Sequence, residues 1–142
     1  MSGKAKVLIV EDEMPLAMLM INVLCRLGFD VEFAANGKKA LAIATQKRFD
    51  LITLDIKLPD MTGFEICSEL KQRHISYKTP ILFISASPSP EDIAEAKRRG
   101  AEDYMTKPFD VTDFVYRVTL FAKVKSAPQT SDALKKNPNA NK

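Results

Sequence analysis

The chain has 142 residues, 46% of them hydrophobic, which fits a single domain with its own core. Its formal charge is only +3, and Lys135, Lys136 and Lys142 against Asp132 place 3 − 1 = 2 of those charges in the terminal segment, so the remainder is nearly neutral and makes no electrostatic case for direct nucleic-acid binding. Residues 1–6 contain no signal-peptide core, and no apolar stretch approaches the roughly 18 residues of a membrane span. The sequence therefore reads as cytoplasmic, without membrane contact.

Strand-like runs alternate with helical patterns five times. Residues 6–10 read as a strand, followed by a helix over about 14–27 with Pro15 in its first turn, where a missing N–H costs nothing, and Gly28 as its stop. A second strand at 30–34 leads to Asn36-Gly37, which opens a helix to about Lys47. The third strand, 51–55, begins with a continuous Leu-Ile-Thr-Leu run that predicts burial on both faces. The loop Leu58-Pro59-Asp60-Met61 precedes a helix with Thr62 and Glu65 spaced as a capping box. A fourth strand at 80–85, a helix over 90–99 stopped by Gly100, a fifth strand at 103–106 and a helix over about 111–125 complete a (βα)₅ pattern. Such alternation implies an α/β fold, a doubly wound parallel sheet with right-handed crossovers and helices on both faces. From Ser126 the composition turns to Ser, Ala, Pro, Gln, Asn and Lys, so residues 1–125 form the expected domain and 126–142 a disordered tail or linker.

Cys25 and Cys67 lie within helical patterns and lack metal-ligand spacing such as CxxC, so they read as reduced small hydrophobes rather than a disulfide. His74, the one histidine, falls in a polar segment and reads as a surface residue, not a phosphodonor.

The chemistry sits at the strand ends. The first run ends on Glu11-Asp12, the third on Asp55, the fourth on Ser85 and the weaker fifth on Lys107. In a parallel sheet these residues gather at one edge, where open α/β sheets bind ligands. Singly, each has a plain explanation: a solvated turn with Asp12 as a helix cap, a strand-end hydroxyl, a surface lysine. Asp55 is the hardest to explain away, because an acid closing a doubly buried strand risks desolvation unless it is paired or solvated in a cleft. Jointly, three carboxylates, a hydroxyl and an ammonium form a complementary set. Oxygen donors of this kind suit Mg²⁺, with Mn²⁺ as an alternative.

The runs Val-Leu-Ile-Val-Glu-Asp-Glu at 7–13, Leu-Asp-Ile-Lys-Leu-Pro-Asp-Met-Thr-Gly at 54–63, Ile-Ser-Ala-Ser at 84–87 and Gly-Ala-Glu-Asp-Tyr-Met-Thr-Lys-Pro-Phe at 100–109 resemble the receiver domain of two-component response regulators. The resemblance spans about 4–125 and implies a flavodoxin-like (CheY-like) sheet of strand order 2-1-3-4-5. It implies that Asp55 accepts a phosphoryl group from the phosphohistidine of a histidine kinase or a histidine phosphotransfer protein. Glu11, Asp12, Asp55 and the main-chain carbonyl of Lys57 would hold the metal, and Lys107 and Ser85 would contact the phosphoryl oxygens. A transferring phosphoryl group spreads charge over its oxygens, so positioning and electrostatic stabilisation are what these groups can supply. Ser85 and Tyr104 would form a switch acting on the surface of the fourth helix, fifth strand and fifth helix, and Lys107-Pro108 matches a cis peptide position.

Departures are few. Thr62 stands where aspartate is common, and Ser85 where threonine is commoner. Glu102, Asp103, Asp113 and Arg117 match charged positions through which one branch of the family dimerises, but Ile93 replaces a basic residue of that pattern. The expectation is a stand-alone signalling phosphoacceptor rather than an enzyme, a monomer with a phosphorylation-dependent dimer and a downstream protein target. The alternatives are a receiver cut from a larger regulator or hybrid kinase and an Asp-nucleophile, Mg²⁺-dependent phosphatase. The latter would need a further general acid/base and a covering cap, and neither is evident in the sequence.

The first helix is richer in apolar residues than one buried face requires. Leu16, Leu19, Met20, Val23 and Leu27 recur at helical spacing and are expected to cover the sheet. Met18, Ile21 and Cys25 recur on another side and are expected to form an exposed stripe that docks the partner helix presenting the phosphohistidine.

Overall fold

The computed structural model describes residues 4–73 and 79–122. His74, residues 123–125 of the last expected helix and the 126–142 segment lie outside the described residues. Among the described residues ten elements alternate: β1 (Lys6–Val10), α1 (Met14–Arg26), β2 (Asp30–Ala34), α2 (Gly37–Gln46), β3 (Leu51–Leu54), α3 (Gly63–Gln72), β4 (Ile81–Ser85), α4 (Pro90–Arg98), β5 (Asp103–Thr106) and α5 (Val111–Ala122). The strands pair in parallel in the order β2-β1-β3-β4-β5.

The period of two divides the strand residues between two cores. Leu8, Val10, Ile52, Leu54, Ile81 and Phe83 pack with Ala40 and Ala44 of α2, Ile66, Cys67 and Leu70 of α3 and Ala96 of α4. Val7, Ile9, Leu51, Leu82, Ile84 and Met105 pack with Met20 and Leu24 of α1 and Phe114, Val118 and Ala122 of α5. β3 and β4 are buried at every position, as two covered faces require.

Local chemistry closes the helices as their sequences suggest. Pro15 sits in the first turn of α1. Asn36 accepts a hydrogen bond from Lys39 N at the start of α2, and Thr62 and Glu65 form the reciprocal capping box of α3. Gly28 and Gly100, at φ +92° and +95°, follow the ends of α1 and α4, where an L side chain would be strained.

The seam of α1 differs from the expectation. Ala17, Met20 and Leu24 are the buried residues, whereas Leu19 and Leu27 are 43% and 54% exposed, and Leu16 is half-buried. Ala17, Met20 and Leu24 recur at i, i+3 and i+7 on one face, which leaves Leu19, about 200° round the helix from Ala17, on the outer side. On the other side Met18 and Cys25 are exposed, but Ile21 is half-buried and packs with the core shared with α5. Met18, Ile21 and Cys25 therefore do not form one open stripe.

Candidate functional site

Backbone pairing continues past the strand ends and sets the side chains at the C-terminal edge. Glu11 N donates to Ala34 O at 3.1 Å, Asp55 N to Val10 O at 3.2 Å and Lys107 N to Ser85 O at 2.8 Å. Each bond extends a ladder by one residue, so Glu11 and Asp55 emerge from adjacent strands at the same level. Lys107 reaches them from β5 across the end of β4, and the Lys107–Pro108 peptide bond is cis.

Lys107 Nζ lies 2.9 Å from Asp55 Oδ2, 2.9 Å from Glu11 Oε1 and 3.0 Å from Glu13 Oε1. Glu11 and Asp55 are almost fully buried, and Asp12 is exposed at the mouth. Burial pushes the Glu11 carboxyl above its ordinary value, against the opposing hydrogen bond from Lys107. For Lys107 burial acts to lower the ammonium's pKa, but hydrogen bonds to Asp55, Glu11 and Glu13 outweigh it and hold the group above the usual lysine range. The pocket thus holds an ammonium among three carboxylates, an arrangement in which loss of either partner leaves a buried charge uncompensated.

One carboxylate oxygen from each of Glu11, Asp12 and Asp55 lies within 4.8 Å of the other two. Three hard oxygen donors, two buried and one facing solvent, fit a small divalent cation that keeps part of its water shell. The loop after β3 borders this cluster. Lys57 N approaches Asp55 Oδ1 at 3.4 Å, Lys57 bridges to Thr62, and Gly63 N donates to Ile56 O at 2.7 Å. Asp60 ties the loop to α2 by accepting from Gly37 N at 2.8 Å and Lys38 N at 2.9 Å, and these bonds hold its carboxyl below the usual range.

Ser85 closes β4, and its buried Oγ accepts from Ser87 N at 3.4 Å. Tyr104 stacks on Phe83 with ring centroids 6.3 Å apart and donates its hydroxyl to Ser87 O at 2.8 Å. Its hydroxyl is therefore tied to the same loop that Ser85 begins. Burial raises the Tyr104 hydroxyl pKa.

The other sequence-predicted residues are placed differently. Asp103 and Asp113 both pair with Arg117 inside the chain, and Glu102 Oε1 accepts from Ile81 N at 3.0 Å, so all four charged residues of the dimer pattern have intramolecular partners. Beside the pocket Pro15, Leu16, Leu19, Ala86, Pro108 and Phe109, together with Glu13 and Lys107, line a mostly apolar groove of about 550 Å³. Leu19, expected from the sequence to cover the sheet, instead lines this groove, and the sequence reading gave no site role to Glu13 or Asp60. Arg99 was missed as well: it reaches from the end of α4 to Ser68 Oγ at 2.7 Å and Phe64 O at 3.2 Å on α3.

The response regulator receiver domain family matches residues 7–119. The chain is 35% identical over 126 residues to the transcriptional regulatory protein PcoR of Escherichia coli, covering 88% of this chain and 55% of that protein. It spans about half the length of the curated relatives it matches. Among solved structures it resembles the chemotaxis protein CheY4 of Vibrio cholerae, with 36% identity, a TM-score of 0.79 and coverage of 83% of this chain and 98% of that one. It also resembles the receiver domain of the sensor histidine kinase PA1611 of Pseudomonas aeruginosa, a structure with a magnesium ion coordinated in its active-site cleft. There the identity is 25% and the TM-score 0.77, and the match covers 84% of this chain and 98% of that one.

Proposed function

This chain belongs to the response regulator receiver domain family of two-component systems, and on that premise we propose that it accepts a phosphoryl group on Asp55 from a phosphohistidine of a histidine kinase or phosphotransfer protein. The observation that supports this reading best is the convergence of Glu11, Asp55 and Lys107 from three strand ends, with the Lys107 ammonium 2.9 Å from Asp55 Oδ2.

In the proposed transfer an Asp55 carboxylate oxygen forms the new P–O bond while the P–N bond of the donor breaks, and the imidazole leaves with the bonding pair. Glu11, Asp12, Asp55 and the Lys57 main-chain carbonyl would hold Mg²⁺, which supplies positive charge to the phosphoryl oxygens when bound. Lys107 contributes a second positive charge, already held at the acceptor by three carboxylates, without a large reorganisation at the moment of reaction. The Ser85 hydroxyl donates to a phosphoryl oxygen. That pull draws the hydroxyl from the loop that Tyr104 contacts, and so biases the face built by α4, β5 and α5 toward a second arrangement that a downstream protein recognises.

Docking of the phosphohistidine partner is assigned to the groove between α1 and the loop after β5, because its mostly apolar lining includes Lys107. In this reading the output runs through protein contacts rather than through turnover of a substrate. The direct test is labelling by acetyl phosphate, with Mg²⁺ and without it. Asp55→Asn should label at background level, as should the parent protein with Mg²⁺ chelated, because a neutral amide is a poor nucleophile and a poor ligand. Equal labelling of Asp55→Asn and the parent would remove Asp55 from the acceptor role.

A further inference from the structure

Resting on the phosphoacceptor reading, we infer that Glu13 is a positioning residue: it shares the Lys107 ammonium and thereby sets how readily the buried acids can turn to a divalent cation. Lys107 Nζ is held at nearly one distance by three carboxylates, at 2.9 Å by Asp55 and Glu11 and at 3.0 Å by Glu13. Two of the three belong to the oxygen cluster that fits a metal, and Glu13 does not. The ammonium and an incoming cation would therefore draw on the same two buried carboxylates.

Glu13 differs from the other two acids in exposure and in freedom. Its side chain is 63% exposed, against 1% for Glu11 and 8% for Asp55. It is the N-cap residue of α1, yet its side chain makes no capping hydrogen bond. A carboxylate at an N-cap ordinarily accepts from N–H groups of the first turn; here it is directed to the lysine instead. Lys107 is a compact charge with three donors on a flexible stem. A shift of that charge toward Glu13 releases Asp55 and Glu11 while the ammonium keeps an anionic partner. Without Glu13 the ammonium has the two buried acids alone, and a second cation must compete with it for both.

Glutamine at position 13 keeps the shape and loses the charge, so charge-assisted holding of the ammonium at that position is lost. A simpler effect runs in the same direction, because any nearby negative charge draws Mg²⁺. The two are separated by whether the effect passes through Lys107. Calorimetric titration with MgCl₂ on the full chain, for the parent, Glu13→Gln, Lys107→Gln and the double variant, gives the coupling. Glu13→Gln should weaken Mg²⁺ binding by about threefold or more in the parent, within the range of couplings between residues in direct contact. The same substitution should have a clearly smaller effect in the Lys107→Gln background, where only the direct attraction of a nearby carboxylate for Mg²⁺ is left to lose. Lys107→Met serves as the second background should Lys107→Gln not fold.

An equal loss in both backgrounds makes Glu13 a plain surface charge and overturns the inference, as does unchanged affinity of the Glu13→Gln single variant. A parent protein that binds no Mg²⁺ overturns the metal assignment and this inference together. Mg²⁺ binding that follows the expected pattern while Asp55→Asn still labels fully sinks the phosphoacceptor reading alone.

Discussion

Gly63 packs against the main chain of Asp55, so closely that a Cβ at position 63 would stand 2.2 Å from the Asp55 carbonyl oxygen and 2.9 Å from Cε1 of Phe83. The nearer contact is backbone at the end of a fully buried strand and cannot yield as a flexible side chain would. The start of α3 thus limits where the main chain of Asp55 can sit.

Gly63→Ala is expected to lose stability by about 1–3 kcal/mol, the scale of overpacking in a close-packed interior, and to lose acetyl phosphate labelling as Asp55 is displaced. Gly28→Ala provides the contrast. Its φ of +92° carries strain, but nothing lies within 4 Å of a Cβ there, so it should lose about 1–2 kcal/mol, the scale of the left-handed penalty, with labelling intact. Urea unfolding and labelling of the two variants check both halves. Full labelling of folded Gly63→Ala would show that the contact does not position Asp55.

The pairing of Lys107 predicts a loss of stability at alkaline pH. Its native pKa is raised above the ordinary lysine value of 10.5, so the stabilisation is fully present below that value and is lost as pH rises through the native pKa. In that window the native state binds a proton that the unfolded chain has released. The unfolding free energy of the parent should therefore fall more steeply than that of Lys107→Met from about pH 10 upward, beyond what the other lysines and tyrosines contribute to both. Urea titrations of the two proteins from neutral to alkaline pH measure the difference in slope. Parallel curves would mean that the three carboxylates do not retain the proton on Lys107.

The strand ends were legible because their signal is local. A parallel strand buried on both faces reads as a short apolar run, and the first polar residue after it marks the sheet edge; that is how Glu11, Asp55, Ser85 and Lys107 could be placed together before any coordinates. The strand order and the cis Lys107–Pro108 bond followed from the family resemblance rather than from the pattern. The buried face of α1 was misjudged because Ala17 has too little apolar surface to stand out, while Leu19 and Leu27 are large and turn outward. Glu13, Asp60 and Arg99 were missed for another reason: their partners Lys107, Gly37 and Ser68 are 94, 23 and 31 residues away in the chain, and only the fold brings them within reach.

The docking groove provides the last prediction, and the packing of α1 decides which residue should test it. Ile21 belongs to the half-buried margin of the core shared with α5, so a charge placed there would disturb folding as well as any interface. Leu19 is 43% exposed and lines the groove that Lys107 and Glu13 also line, which makes it the cleaner probe. Leu19→Glu sets an unpaired carboxylate in a surface that a partner helix would dehydrate, and it leaves every residue of the phosphoacceptor cluster in place. Transfer from a cognate phosphohistidine protein should fall by about tenfold or more, equivalent to roughly 1.4 kcal/mol, while acetyl phosphate labels the variant at the parent's rate. Met18→Glu serves as a control on the same helix, because Met18 is 49% exposed but is not among the residues lining the groove. If both variants accept the phosphoryl group from the partner as fast as the parent, the groove is not where the partner docks. If Met18→Glu alone fails, the contact lies on the outer side of α1, where the methionines rather than the groove would receive the partner.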